Sequence, residues 1–150
     1  METGKAKNGV KTAGAVNPGE PAVRTFVAVE LPEHIRAVLG ELQGGLKARG
    51  LFLRWTRPEN IHLTLKFLGD VRQGALAGLA DAVSEIAAAH GPVILSVRSI
   101  GVFPNIRRPN VLWTGIAGQM EALTMLQKDL DVRLCGLLGI SPEKRRFVGH

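Results

Sequence analysis

A histidine followed two positions later by a threonine, at His62 and Thr64, is the pattern with the clearest chemical potential. An unperturbed imidazole has a pKa of about 6.5, so it can donate or accept a proton near neutral pH. Residues two apart in a strand share one face, and the Thr64 hydroxyl can therefore donate a hydrogen bond to an anion beside the His62 ring. Such short motifs also arise by chance. The residues alone leave two interpretations of His62 open, a catalytic residue and a structural strand histidine.

The elements that must position His62 are predicted from the spacing of apolar residues. Residues 61–68 alternate in polarity, which predicts a strand with one packed face and one open face. The packed face would carry Ile61, Leu63, Leu65 and Phe67, and the open face His62, Thr64 and Lys66. Further strands are predicted at 24–30, 51–55, 93–102 and 111–116, with Phe147 beginning another, and helices at 32–46, 72–89 and 119–138.

A weak repeat of element order connects two histidines. The stretch from Arg24 to His62 reads as strand, helix and strand over 38 residues, and the stretch from Val111 to His150 repeats this order over 39. A duplicated α+β unit would bring the two equivalent strands, and both histidines, to a common cleft. Two imidazoles there could act as general acid and general base on a phosphodiester without a metal ion.

Composition limits the class of protein and its partners. The length of 150 residues predicts one domain, over 22–150, because the polar residues 1–21 cannot bury a core and indicate a flexible tail. The net charge of +6 favours an anionic partner such as nucleic acid. No apolar run suits a membrane span or a signal peptide, so we expect a cytoplasmic protein with no membrane partner. Cys135 is the only cysteine, which excludes an internal disulfide.

Several segments, taken in order, resemble one known family. They are RTFVAV at 24–29, PENIHLTLKFLG at 58–69, GVFP at 101–104 and PNVLW at 109–113. Together they resemble the 2H phosphoesterases, and more closely the bacterial and archaeal RNA 2',3'-cyclic phosphodiesterases, long called 2'-5' RNA ligases. The resemblance covers residues 24–150.

The resemblance implies a bilobal α+β fold, in which two antiparallel sheets with helices outside face each other over a central groove. Each lobe of such a protein supplies one H-x-T-x motif. His62 and Thr64 match the first motif, and His150 matches the start of the second. The implied reaction opens a 2',3'-cyclic phosphate on RNA to a 2'-phosphate, and some members form 2'-5' linkages. His62 would protonate the departing 3' oxygen, His150 would activate water, and Thr64 would hold the phosphate, with no metal or cofactor.

The sequence departs from this family at its end. Members continue through a second threonine and at least one more strand, whereas this sequence ends at His150, so we expect a truncated second lobe that lacks its last strands. Two functions from different classes follow. One is a phosphodiesterase acting on RNA ends, as a monomer; the other is an RNA-end binding module without turnover.

Other residues with chemical potential each have a structural alternative. Lys66 is either a phosphate partner or a solvated strand lysine, and Arg145 and Arg146 either reach the phosphate or form an exposed turn. The Arg107-Arg108 loop could follow an RNA backbone. His34 and His90 are interpreted as exposed helix ends. Phe103 or Trp113 could stack on a base, but core positions are favoured for both, since the chain has only seven aromatic residues.

Overall fold

The computed structural model describes residues 19–51, 53–144 and 147–148. The elements are β1 (Ala22–Glu30), α1 (Glu33–Ala48), β2 (His62–Arg72), α2 (Leu76–His90), β3 (Leu95–Phe103), β4 (Val111–Gly118) and α3 (Met120–Leu138). Single turns of 3-10 helix, Pro58–Asn60 and Gln73–Ala75, precede β2 and α2. The predicted α+β fold is confirmed. The predicted tail up to residue 18 and the predicted site residues Arg145, Arg146 and His150 lie outside the described residues.

Two separate antiparallel sheets form the β structure, each with two described strands. β1 pairs with β2, with Glu30 opposite His62 and Ala28 opposite Thr64. β3 pairs with β4, with Gly101 opposite Trp113. This matches the expected pair of antiparallel sheets.

The hydrophobic core lies between the inner face of β2 and the two helices α2 and α3. Leu123, Leu130 and Leu134 recur at helical spacing on α3 and are almost completely buried. They pack with four apolar residues of β2 and two of α2, namely Leu63, Leu65, Leu68, Val71, Leu79 and Ala82. Burial of these side chains is the main contribution to stability, at about 1.5 to 3 kcal/mol for each fully buried leucine or valine. β2 is therefore held firmly on one face, which leaves its other face for the site.

Two irregularities in β2 change which side chains reach the core. Thr64 pairs with Ala28 and Lys66 with Val27, so Leu65 is an extra residue without a partner on β1. Such a bulge reverses the alternation beyond it. Lys66 is consequently buried, whereas Phe67 is 65% exposed. The predicted faces were correct up to Leu65 and wrong for these two residues.

The second irregularity explains why a predicted turn is absent. Gly69 has φ of +74°, a conformation that glycine adopts without the steric penalty of a side chain. The extra residue is Leu68, which lies between Phe67, the partner of Phe26, and Gly69, the partner of Thr25, and the strand continues to Arg72. Gly69 and Asp70 therefore do not end the strand, and α2 begins at Leu76, later than predicted.

Three further predictions differ from the structure. The described residues of 51–55 form no strand but an irregular connection. Val38, predicted on the apolar stripe of α1, is 60% exposed, and Leu39 is the one buried residue of this helix. Phe147 packs against the core but belongs to no described strand. The other helices and strands are confirmed with small shifts of their ends. Among the described residues, none of the helices combines the length and apolar character needed to cross a bilayer.

Candidate active site

His62 is the first residue of β2, and a hydrogen bond that its ring donates to the preceding turn holds the ring in place. The 3-10 turn at Pro58–Asn60 brings the Asn60 carbonyl oxygen to 2.8 Å from His62 Nδ1. Since a carbonyl oxygen only accepts hydrogen bonds, Nδ1 must carry the hydrogen. This fixes the tautomer of the neutral ring and leaves Nε2 as the nitrogen that can exchange a proton.

Thr64 lies on the same open face of β2 as His62, as predicted. Leu63 between them is buried, and both outward residues are half-buried, so the alternation is intact at this end of the strand. The strand partner of Thr64 is Ala28, whose methyl group is the smallest side chain that keeps strand geometry without the freedom of glycine. Thr64 itself is not among the residues that line the cavity described below.

Phe26 completes this face and was not predicted as a site residue. Its ring stacks on the His62 imidazole, with centroids 5.0 Å apart and planes inclined by 20°. Phe67, brought to the open face by the bulge, lies 6.0 Å from Phe26 between ring centroids. The His62 ring is thus held by a carbonyl at one nitrogen and by an aromatic ring on one side. Such restraint keeps a proton-transfer group in position.

His62 lines a cavity that both sheets share. The cavity has a volume of about 550 Å³ and is lined by α1, by the connection before β2, and by the start of β4. The polar side chains on its wall, besides His62, include Gln43, Arg54, Thr56, Asn60, Asn110 and Thr114. The expected groove between the lobes is present, and the first of the two predicted histidines opens into it. The described residues include nothing of the second, His150.

Trp113 and Phe103 are not core residues, contrary to the sequence interpretation. Phe103 is 65% exposed and Trp113 is 38% exposed. The Trp113 indole lies directly on the α-carbon of Gly101, where an added Cβ would be only 2.1 Å from the ring. This contact needs a glycine, and Trp113 is one of the residues that line the cavity. The core is instead filled by aliphatic side chains.

Lys66 has a different position from either predicted alternative. It is only 7% exposed, and its Nζ lies 2.6 Å from Oδ1 of Asp131 on α3. Asp131 is 6% exposed and also accepts hydrogen bonds from the Cys135 thiol and the Glu143 backbone N–H. Lys66 therefore neutralises a buried carboxylate and does not reach a phosphate in the groove.

The ion pair shifts the pKa values of its members in opposite directions. Burial alone would lower the pKa of Lys66, but the hydrogen bond to Asp131 and the charge of Asp131 outweigh it and raise the pKa above 10.5. Burial alone would raise the pKa of Asp131, but hydrogen bonds from Lys66, Cys135 and Glu143 lower it below 3.8. Burial and the hydrogen bond to Asp131 raise the pKa of the Cys135 thiol. The pair is ionised across the neutral range.

These shifts predict how stability depends on pH. The contribution of Asp131 is complete above about pH 3.8 and is lost as pH falls through its lowered pKa, while that of Lys66 is complete below about pH 10.5 and is lost as pH rises through its raised pKa. We expect the free energy of unfolding of the wild type, minus that of the K66M/D131L double variant, to be constant between these limits and to fall outside them. Urea unfolding from pH 3 to 11 measures this difference. A difference that does not change with pH contradicts the assignment.

The remaining candidates have structural or open surroundings. His34 is exposed, as predicted, whereas His90 is not, because its Nε2 lies 2.7 Å from Asp129 Oδ2 on α3. Arg107 and Arg108 are exposed, and their backbone N–H groups donate to the Asn105 side chain, which shapes the loop between β3 and β4. Within 19–51, 53–144 and 147–148, no three His, Cys, Asp or Glu side chains are grouped closely enough to hold a metal ion.

Sequence reasoning missed four residues of the site and its support: Phe26, Asn60, Asp131 and Glu143. Only Phe26 had a pattern that could have indicated it, since it shares a strand face with Ala28 and Glu30. Its contact with His62, however, depends on the strand register. The other three act through a backbone group or across elements distant in sequence. Nothing in their local pattern indicates such contacts.

Comparison with known proteins places the chain in a family. The sequence profile described as LigT-like phosphoesterase matches residues 29–113. A protein of Methanothermobacter thermautotrophicus named RNA 2',3'-cyclic phosphodiesterase is 38% identical over 128 residues, which are 85% of this chain and 68% of that protein. One of Aquifex aeolicus with the same name is 34% identical over 131 residues, with the same shares.

A solved structure agrees with the sequence matches. The crystal structure of E. coli LigT in its apo form superimposes with a TM-score of 0.67 over 88% of this chain and 70% of that one. At 24% identity this likeness shows the shared fold alone. The matched profile and the two relatives show more, and confirm the resemblance of the sequence: this chain belongs to the LigT-like phosphoesterases, the 2H family of hydrolases.

Proposed function

We propose that this protein hydrolyses the 2',3'-cyclic phosphate at the end of an RNA to a 2'-phosphate. The observation that carries the proposal is His62, whose Nδ1 is held by the Asn60 carbonyl while its ring lines the cavity shared by both sheets. A proton donor fixed at the edge of a ligand-sized cavity suits the protonation of a leaving oxygen. The names of the relatives from M. thermautotrophicus and A. aeolicus support this choice of substrate.

The proposed reaction is an attack of water at phosphorus that is accompanied by two proton transfers. Water attacks the cyclic phosphate, a new P–O bond forms, and the bond from phosphorus to the 3' oxygen breaks. His62, protonated at both nitrogens, gives its Nε2 proton to the departing 3' oxygen, which becomes a hydroxyl. His150 takes a proton from the attacking water. Proton exchange with solvent then restores both rings, so no metal ion or cofactor takes part.

Thr64 and Phe26 have supporting roles in this mechanism. The Thr64 hydroxyl donates a hydrogen bond to a non-bridging phosphate oxygen, whose charge increases in the transition state. Phe26 stacks on the His62 ring and limits its rotation. A 5'-hydroxyl of a second RNA in place of water would give a 2'-5' linkage by the same steps.

The surroundings of the cavity favour RNA over a small cyclic nucleotide as the substrate. The net charge of +6 attracts a polyanion, and the exposed Arg107 and Arg108 lie on the loop that leads into β4. The half-exposed Trp113 offers an aromatic face of the kind on which unpaired bases stack. The RNA chain would leave the cavity along this loop.

The proposal is tested by incubating the protein, with EDTA present, with a short RNA that ends in a 2',3'-cyclic phosphate. We expect a single new product with a 2'-phosphate and a free 3'-hydroxyl, identified by its resistance to a 3'-phosphate-specific phosphatase and by mass spectrometry. A control RNA that ends in a 3'-phosphate should remain unchanged. Binding of the cyclic end without conversion would instead establish a binding module and overturn the proposed hydrolysis.

A further inference from the structure

The buried cluster around Asp131 connects the strand of His62 to the segment that follows α3. Lys66 stands four residues after His62 on β2, and Asp131 belongs to α3. Both side chains are more than nine-tenths buried, and neither lines the cavity. The cluster therefore acts at a distance from the substrate, through the elements that it joins.

Asp131 uses its two oxygens for different purposes. Oδ1 faces Lys66 Nζ at 2.6 Å and the Cys135 thiol at 3.4 Å, while Oδ2 accepts a hydrogen bond of 2.9 Å from the Glu143 backbone N–H. The Cys135 sulfur also lies 3.6 Å from the Ser141 carbonyl oxygen. One carboxylate thus holds β2 on one side and the chain beyond α3 on the other.

The chain beyond α3 leads directly into the second predicted motif. The turn after α3 at Gly139 directs the chain back, and Glu143 precedes FVGH at 147–150 by four residues. Phe147 packs on the same core as β2. Glu143 and Phe147 thus hold the described part of this segment against the core that β2 shares.

A purely stabilising role does not explain the choice of residues at this place. Replacing a buried ion pair by an apolar pair of similar size often changes stability little or raises it, because the desolvation of two charges is avoided. An apolar pair cannot, however, accept the hydrogen bond of the Glu143 N–H. The carboxylate therefore adds a hydrogen-bond acceptor that holds the Glu143 N–H in one position.

We propose that Asp131, neutralised by Lys66, is a positioning residue that fixes the segment entering the second motif relative to the strand carrying His62. This inference rests on the proposed function, in which both motifs act on one phosphate. Displacement of a reacting group by about 1 Å can lower a rate about 100-fold, so loss of this link should reduce kcat with little effect on KM.

A matched pair of double variants separates positioning from stability. K66M/D131N has no buried charge but keeps an oxygen that can accept from the Glu143 N–H, whereas K66M/D131L has no acceptor. We expect kcat of K66M/D131N to stay within about threefold of the wild type and kcat of K66M/D131L to fall about 10- to 100-fold, at equal resistance to urea. Equal kcat in the two variants would overturn the proposal.

A second pair keeps both Lys66 and Asp131. E143P removes the N–H donor, and E143A, at the same exposed position, retains it. Both variants lack the Glu143 carboxylate, so their difference reports the N–H alone, and we expect kcat of E143P to fall about 10-fold or more below that of E143A. Equal kcat in E143P and E143A would likewise count against positioning.

Hydrogen exchange keeps this inference separable from the proposed function. In the wild type the Glu143 amide should be protected, and K66M/D131L should lose this protection while α3 retains its own. Unchanged exchange over 140–148 in that variant would overturn the positioning role, even if the protein turns over RNA. Protection that depends on Asp131 in a protein without turnover would retain the structural link and reject the proposed hydrolysis.

Discussion

Replacement of His62 by alanine is expected to lower kcat for opening of the RNA 2',3'-cyclic phosphate by about 10³-fold. A positioned general acid contributes about 10²- to 10⁴-fold, because the 3' oxygen otherwise leaves as an unstable alkoxide. KM should change much less, since the phosphate contact of Thr64 and the walls of the cavity remain. Initial rates over a range of RNA concentrations measure both constants.

His34→Ala is the matched control for this variant. His34 is exposed on α1, outside the residues that line the cavity, so its removal should leave kcat and KM unchanged. His62 is half-buried, and H62A should therefore unfold in urea near the wild-type midpoint. Activity of a folded H62A protein within tenfold of the wild type would reject His62 as the general acid.

The second large effect concerns stability. Asp131→Leu alone is expected to reduce the free energy of unfolding by about 3 to 5 kcal/mol, because it leaves the Lys66 ammonium group buried without a counter-charge. A domain of this size has a total of about 5 to 15 kcal/mol, so the variant would be close to its threshold for folding. Urea unfolding at pH 7 measures the loss.

Two comparisons identify the cause of that loss. Asp129→Leu, two residues away on α3, breaks the contact with His90 but involves a carboxylate that is 59% exposed, so its cost should stay below about 1 kcal/mol. K66M/D131L should recover most of the stability, since it removes both charges together. A loss in D131L no larger than in D129L would show that Lys66 is not held as a buried ion.

The sequence predicted the elements that depend on local periodicity. The apolar spacings of α1, α2 and α3 persist over several turns, and β3 and β4 lie between clear glycine and proline signals. His62 and Thr64 were placed correctly on one face because the alternation is regular over residues 62–64. Local pattern and tertiary packing agree in these places.

The errors occur where a residue is inserted into a regular pattern. The extra Leu65 in β2 has no signature of its own, since a bulge is defined only by its partner strand. It moved Lys66 into the core and Phe67 to the surface, the reverse of simple alternation. The carboxylate that compensates Lys66 lies 65 residues later in the chain, and no local pattern indicates such a distant partner.

Contacts made by backbone atoms could not be predicted from the sequence either. The Asn60 carbonyl fixes the His62 ring only because a 3-10 turn directs it there, and any residue type supplies a carbonyl. The stacking of Phe26 on His62 also requires the exact pairing of β1 with β2. The sequence therefore identified the chemical groups of the first motif, while the structure was needed for what orients them.

Substitution of the leaving atom tests the role of His62 most directly. In a substrate whose 3' bridging oxygen is replaced by sulfur, the departing thiolate is stable without a proton, so it needs no general acid. We predict that H62A, about 10³-fold slower than the wild type on the oxygen substrate, will be within about tenfold of it on the sulfur substrate. An equal defect on both substrates would contradict proton donation by His62.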